Sequence, residues 1–122
     1  VPFRQRVSDP VAGIFEVRHD AAPLRISFDR AELAVILSVY GAKVADGEWR
    51  DYAIDASSEK AVFSVFRRAA DTPLYQIEKN PQLARRQGAY AVIAQGGAIL
   101  RRGHDLAQVL RVLFRRPKLV TV

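Results

Sequence analysis

Apolar residues between positions 33 and 44 recur at three- and four-residue spacing: Leu33, Ile36, Leu37, Tyr40 and Val44. That rhythm places them on one side of a helix, whereas a half-buried strand would alternate. Asp29 stands where its carboxylate can cap the first turn. Glu32 takes the reciprocal place of a capping box, and Phe28 is positioned to pack on Leu33 across the helix start. Asp46-Gly47 ends the helix, since glycine takes the left-handed backbone at little cost. Val35 and Val39 fall on a second side. A helix that is apolar on two sides must be covered twice, so Val35 and Val39 mark a candidate interface for a homo-oligomer. Trp49, just past the helix stop, reads either as an anchor of that interface or as a ring sealing a helix–sheet junction.

The pattern then changes to short runs of β-branched and aromatic residues. Positions 50–56, 60–67 and 74–79 predict three strands, linked through Ser57-Ser58-Glu59 and a 69–73 segment. The middle run has Phe63 and Val65 on one face and Val62 and Phe66 on the other, as a central strand covered on both sides would. Residues 80–88 read as a basic connection with a short helical turn after Pro81. Positions 90–94 and 98–102 around Gly96-Gly97 predict a hairpin. A last helix starts at Asp105, with Gln108 at its capping-box position. It buries Leu106, Val109, Leu110 and Leu113 and stops before Pro117.

Before the first helix, positions 14–19 and 24–28 predict a further hairpin through Asp20-Ala-Ala-Pro23. Residues 1–12, with two prolines and little periodicity, read as an N-terminal arm. Links this short cannot make parallel crossovers. The expected fold is therefore α+β: a mainly antiparallel sheet with one longer central helix and a C-terminal helix. One domain over 13–116 and a C-terminal tail over 117–122 complete the expected organisation.

The chain has 122 residues, enough for one core, and 49% apolar with 26% charged residues is an ordinary globular balance. It contains no cysteine, which removes disulfides, thiolate metal sites, iron–sulfur clusters and a cysteine nucleophile. The longest apolar stretch, beginning at Leu33, is interrupted by Ser38 and ends at Gly41, far short of a membrane span. No signal-peptide pattern opens the chain. A soluble, cytoplasmic protein with no membrane partner is expected.

Charge changes the picture most. Residues 1–78 carry 10 basic and 12 acidic side chains, whereas residues 79–122 carry 9 basic ones against Asp105 alone. A field of one sign gathered at one end of a small domain attracts polyanions, either nucleic acid or an acidic protein surface. The high ratio of arginine to lysine reflects genomic composition. It does not explain why the positive excess lies at the C-terminal end.

Four blocks carry a resemblance. They are Tyr40-Gly-Ala-Lys-Val-Ala-Asp-Gly-Glu-Trp-Arg-Asp-Tyr-Ala-Ile-Asp55, Ala61-Val-Phe-Ser-Val-Phe-Arg-Arg68, Pro73-Leu-Tyr-Gln-Ile-Glu-Lys79 and Arg102-Gly-His-Asp-Leu-Ala-Gln-Val-Leu110. Over residues 24–114 the chain resembles an uncharacterised domain-of-unknown-function family of small alphaproteobacterial proteins. The Gly-Glu-Trp-Arg-Asp-Tyr block is the most distinctive part. The resemblance implies a bacterial, cytoplasmic origin and transfers no catalytic residue.

Catalytic chemistry finds little footing. His19 and His104 are the only histidines and lack zinc-ligand spacing. Asp51 and Asp55, with Glu48 and Glu59, form an acidic set that would suit magnesium and a metal-dependent hydrolase. At strand rise, however, the two aspartates stand about 13 Å apart. No nucleophile elbow or phosphate loop is present. The expectation is a non-enzymatic domain without a cofactor or a metal site. Arg85, Arg86, Arg101, Arg102, Arg111, Arg115 and Arg116 are its candidate polyanion contacts, and nucleic acid or a ribonucleoprotein is the first partner expected. Arg101 and Arg102 are adjacent on a strand, so only one of them can join a patch with Arg111 and Arg115. A regulatory module binding an acidic protein, homodimeric through Val35 and Val39, is the alternative.

Overall fold

The computed structural model describes the backbone of Phe3–Val7 and residues 25–67 and 72–114. In chain order the elements are β1 (Phe3–Val7), α1 (Arg30–Ala45), β2 (Asp51–Ala56), β3 (Ala61–Phe66), β4 (Tyr75–Lys79), β5 (Tyr90–Ala94), β6 (Ile99–Gly103) and α2 (Leu106–Leu110). A 3-10 turn at Pro81–Leu83 precedes β5, and a second, Arg111–Phe114, continues α2. The strands form one antiparallel sheet in sequential order, β1-β2-β3-β4-β5-β6. Helix α2 packs against β5, β6 and α1. This is an α+β fold built on an antiparallel meander.

Both caps form at the start of α1. The Glu32 amide donates to Asp29 Oδ1 and the Asp29 amide to Glu32 Oε1, each at 2.8 Å. At the other end Asp46 is the C-cap and Gly47 adopts φ 78°. The face that α1 turns to the sheet is not the expected one. Its buried line is Leu33, Ile36 and Val39, flanked by Glu32 and Lys43, while Val44 is 40% exposed. The helix is rotated by about 60° from the purely apolar reading, taking 3.6 residues per turn. The reason is that the two charged residues on that line have partners. Lys43 Nζ lies 3.3 Å from Glu48 Oε1 and 4.7 Å from the centre of the Phe114 ring, which ties the end of α2 to the last turn of α1.

Two of the three candidate interface residues therefore belong to the chain's own interior. Val39 is only 9% exposed and Trp49 2% exposed, and Val35 is half-buried against the same core. Trp49 seals the junction where α1 meets the sheet, with ring centroids 6.3 Å from Tyr40 and 6.2 Å from Tyr75. Beneath it Tyr52 stacks on Phe63 at 4.7 Å, and Tyr40 meets Tyr52 edge-on at 4.9 Å. If Val39 is a core residue, Val39→Ala should cost about 2 kcal/mol of stability by cavity formation. Urea unfolding at two protein concentrations checks this. A core position gives a loss independent of concentration, whereas a subunit contact gives a loss that shrinks as the protein is concentrated.

The amino-terminal readings change as well. Phe3–Val7, expected within an unpaired arm, forms the edge strand β1, in register with β2 from Phe3↔Ala56 to Val7↔Tyr52. A segment with one β-branched residue and two arginines gives little strand signal. The pairing comes from the open backbone edge of β2, which exists only once the sheet is assembled. Of the expected first hairpin, positions 14–19 lie outside the described residues. Ile26 makes an isolated bridge, its amide donating to Ser57 O at 2.7 Å, instead of a strand.

A basic edge as the candidate binding site

Register decides which charged side chains are spent inside the fold. On the helix side of the sheet, Lys79 in β4 pairs with Tyr90 in β5. Both reach the same carboxylate, that of Glu32 in the first turn of α1. Lys79 Nζ donates to Glu32 Oε1 at 2.8 Å and to Ser27 O at 2.9 Å, and the Tyr90 hydroxyl donates to Glu32 Oε2. Burial, and then the hydrogen bond to Glu32, push the Tyr90 phenol far above its ordinary value, so it remains a donor. This cluster fixes the start of the helix on the sheet.

On the opposite face a second row runs Glu78 (β4), Ala91 (β5), Arg102 (β6). The small, fully buried Ala91 leaves room for Arg102 to reach over it. Arg102 Nη2 donates to the buried Glu78 Oε1 at 3.1 Å and Nη1 to Gly88 O at 3.3 Å, while Lys60 Nζ approaches Glu78 Oε2 at 3.0 Å. With its side chain 13% exposed, Arg102 is held inside the fold and leaves the group of candidate polyanion contacts. Lys79, which contributed to the same positive excess, is likewise internally paired.

Four of the candidate arginines have no carboxylate partner among the described residues. Arg85, Arg86 and Arg111 are exposed and Arg101 is half-exposed, and none makes an ion pair or side-chain hydrogen bond among the described residues. Arg115 and Arg116 lie outside the described residues. Arg85 and Arg86 sit in the connection between β4 and β5, which is locked to the end of β6 where Gly88 meets the Gly103 backbone. Arg101 is on β6, in register with the core residue Val92, and so on the helix side, opposite to Arg102. Arg111 follows α2, farther towards the Phe114–Lys43 contact.

Sequence reasoning passed over the residues between these arginines. Ile99 is 56% and Leu100 43% exposed, and both lie on β6, the last strand of the sheet, which has no neighbour on its outer side among the described strands. Their signal was a hairpin arm that opens on two large apolar residues right after a glycine turn. Nothing in the sequence says which strand is last, so the hairpin pattern alone does not mark them as exposed.

The acidic residues considered for a metal do not converge. Asp51 and Asp55 are in register with Phe66 and Val62 on the sheet face away from α1, whereas Glu48 is bonded to Lys43 beside the end of α1. Among the described residues no group of three His, Asp or Glu side chains is placed to hold a metal ion. His104 is an exposed residue next to the Asp105 cap, and His19 lies outside the described residues. Among the described residues no helix is long and apolar enough to cross a membrane.

A family model described as "Protein of unknown function (DUF2794)" matches residues 26–110. No curated protein and no solved structure matches the chain.

Proposed function

The chain belongs to the DUF2794 family of unknown function, and from its own residues we propose that it is a non-enzymatic binding domain whose β6 edge receives an extended acidic segment of a partner protein. The observation that carries this reading is an edge strand with no outer neighbour among the described strands, bearing the exposed Ile99 and Leu100 next to Arg101, which has no ion pair among the described residues. An open edge offers a row of main-chain donors and acceptors that an added strand satisfies. Alternate side-chain contacts then supply selectivity. A second copy of the chain is a poor occupant, because pairing β6 with itself sets arginines of the two copies side by side. An acidic strand is complementary in charge.

Nucleic acid is the second reading, favoured by the exposure of Arg85, Arg86 and Arg111 and the partial exposure of Arg101. Phosphate contacts of this kind hold a backbone without reading sequence. The two readings separate on one pair of substitutions. Ile99→Thr with Leu100→Thr keeps β propensity and charge while removing the apolar surface. Binding is measured by fluorescence anisotropy with a labelled ten-residue peptide of alternating glutamate and valine, and with a labelled DNA duplex. The edge reading expects the peptide to bind and the double variant to lose roughly 30-fold in affinity, since each half-exposed side chain contributes about 1 kcal/mol when covered. If instead the duplex binds, the Thr variant is indifferent, and Arg85→Gln with Arg86→Gln lowers the logarithmic salt slope by about two, the nucleic-acid reading replaces it.

A further inference from the structure

Away from β6, at the end of the sheet where α1 stops, a concavity of roughly 650 Å³ is lined by Val44, Gly47, Glu48, Trp49, Arg50 and Arg67. Arg50 precedes β2 and Arg67 follows β3. The Arg50 amide donates to Phe66 O at 2.8 Å, and Tyr40 donates its hydroxyl to Arg50 O at 3.1 Å, so both backbones are anchored at the mouth. Two arginines thus share one concavity at the paired ends of neighbouring strands, an arrangement that is repulsive unless an anion lies between them. Neither makes an ion pair or side-chain hydrogen bond among the described residues. The one carboxylate in the lining, Glu48, is directed to Lys43 at 3.3 Å.

We propose that this concavity is a binding site for a small oxyanion, a phosphate monoester or a carboxylate, held by the guanidinium groups of Arg50 and Arg67. The planar fork of arginine matches a pair of anionic oxygens, which a single lysine does not. Val44, exposed at the same rim, offers an apolar contact to an organic substituent on the anion. Neither arginine is among the β6-edge residues, so this site stands or falls separately from the edge.

Trp49 is the chain's only tryptophan and lines the concavity, so its fluorescence reports occupancy. The full chain is titrated with inorganic phosphate, with phenyl phosphate and with succinate, each against sodium chloride at equal ionic strength. The expected result is a saturable change in Trp49 emission with half-effect on the order of 1 mM, a value usual for a small ligand held by two charge-assisted contacts. Stronger binding of phenyl phosphate assigns a phosphate monoester, and stronger binding of succinate assigns a carboxylate. Arg50→Gln and Arg67→Gln should each raise the half-effect at least tenfold, whereas Arg85→Gln with Arg86→Gln should leave it unchanged. Circular dichroism of the Gln variants, both at exposed positions, verifies that the fold is retained. A response that does not saturate, that chloride reproduces, or that survives both substitutions overturns the proposal.

Discussion

Replacing Glu32 with alanine is expected to destabilise the domain by about 3 to 5 kcal/mol, the range for removing one partner of a buried ionic cluster. The residue does three things at once. Its Oε1 accepts the Asp29 amide at 2.8 Å and closes the capping box, the same oxygen neutralises Lys79 at 2.8 Å, and its Oε2 accepts the Tyr90 hydroxyl. Alanine leaves an ammonium group only 18% exposed without its counter-charge. Glu32→Gln removes the charge and keeps one acceptor oxygen for the Asp29 amide, while its NH2 can only donate to the Tyr90 phenol oxygen, so it should cost less, about 2 kcal/mol. Urea unfolding followed by circular dichroism gives both values. Equal losses for Ala and Gln would mean that the charge pairing with Lys79, rather than the hydrogen bonds, dominates. A loss below about 1 kcal/mol for Ala would mean the cluster contributes no more than a surface cap.

Glu32 also shows why a pattern can predict an element and still misplace its face. The capping box was legible because it depends on residues three apart in sequence. The rotation of α1 was not, because it depends on Lys79 and Tyr90, brought to Glu32 by strand register, and on Glu48 and Phe114, brought to Lys43 by a turn and by the second helix. A hydrophobic stripe counts charged residues as outward, so Val39 was assigned to a second side and Val44 to the core. The same limit applies to the arginines. Composition shows the positive excess of residues 79–122, and strand alternation shows that Arg101 and Arg102 diverge. Only the row Glu78–Ala91–Arg102 shows which of the two is neutralised. The strand positions were read closely because their bounding turns are local. That β6 is the last of the described strands, with Ile99 and Leu100 exposed, is a property of strand order.

Gly88→Ala is expected to be at least as damaging as the loss of Glu32, about 4 kcal/mol or more, a size that calls for a specific steric cause. A Cβ built at Gly88 would lie 2.2 Å from the backbone carbon and oxygen of Gly103, and φ there is 108°. Neither obstacle can move cheaply. Gly103 ends β6 and is held in register with Tyr90, and Asn80 N to Ala89 O at 2.7 Å closes the connection in which Gly88 sits. Gly97→Ala is the matched control, since φ is 97° there and nothing lies within 4 Å of the added methyl. It should cost about 1 to 2 kcal/mol, the backbone term alone. The difference between the two variants then measures the contact between the β4–β5 connection and the last strand. Because Gly88 O also accepts Arg102 Nη1, and Arg85 and Arg86 ride on the same connection, prising it from Gly103 should disturb the whole basic side of the domain. Thermal or urea unfolding of both variants decides the matter. A Gly88→Ala loss no larger than that of Gly97→Ala would show that the connection can lift from β6 at no cost, and that Arg85 and Arg86 are not held beside that edge.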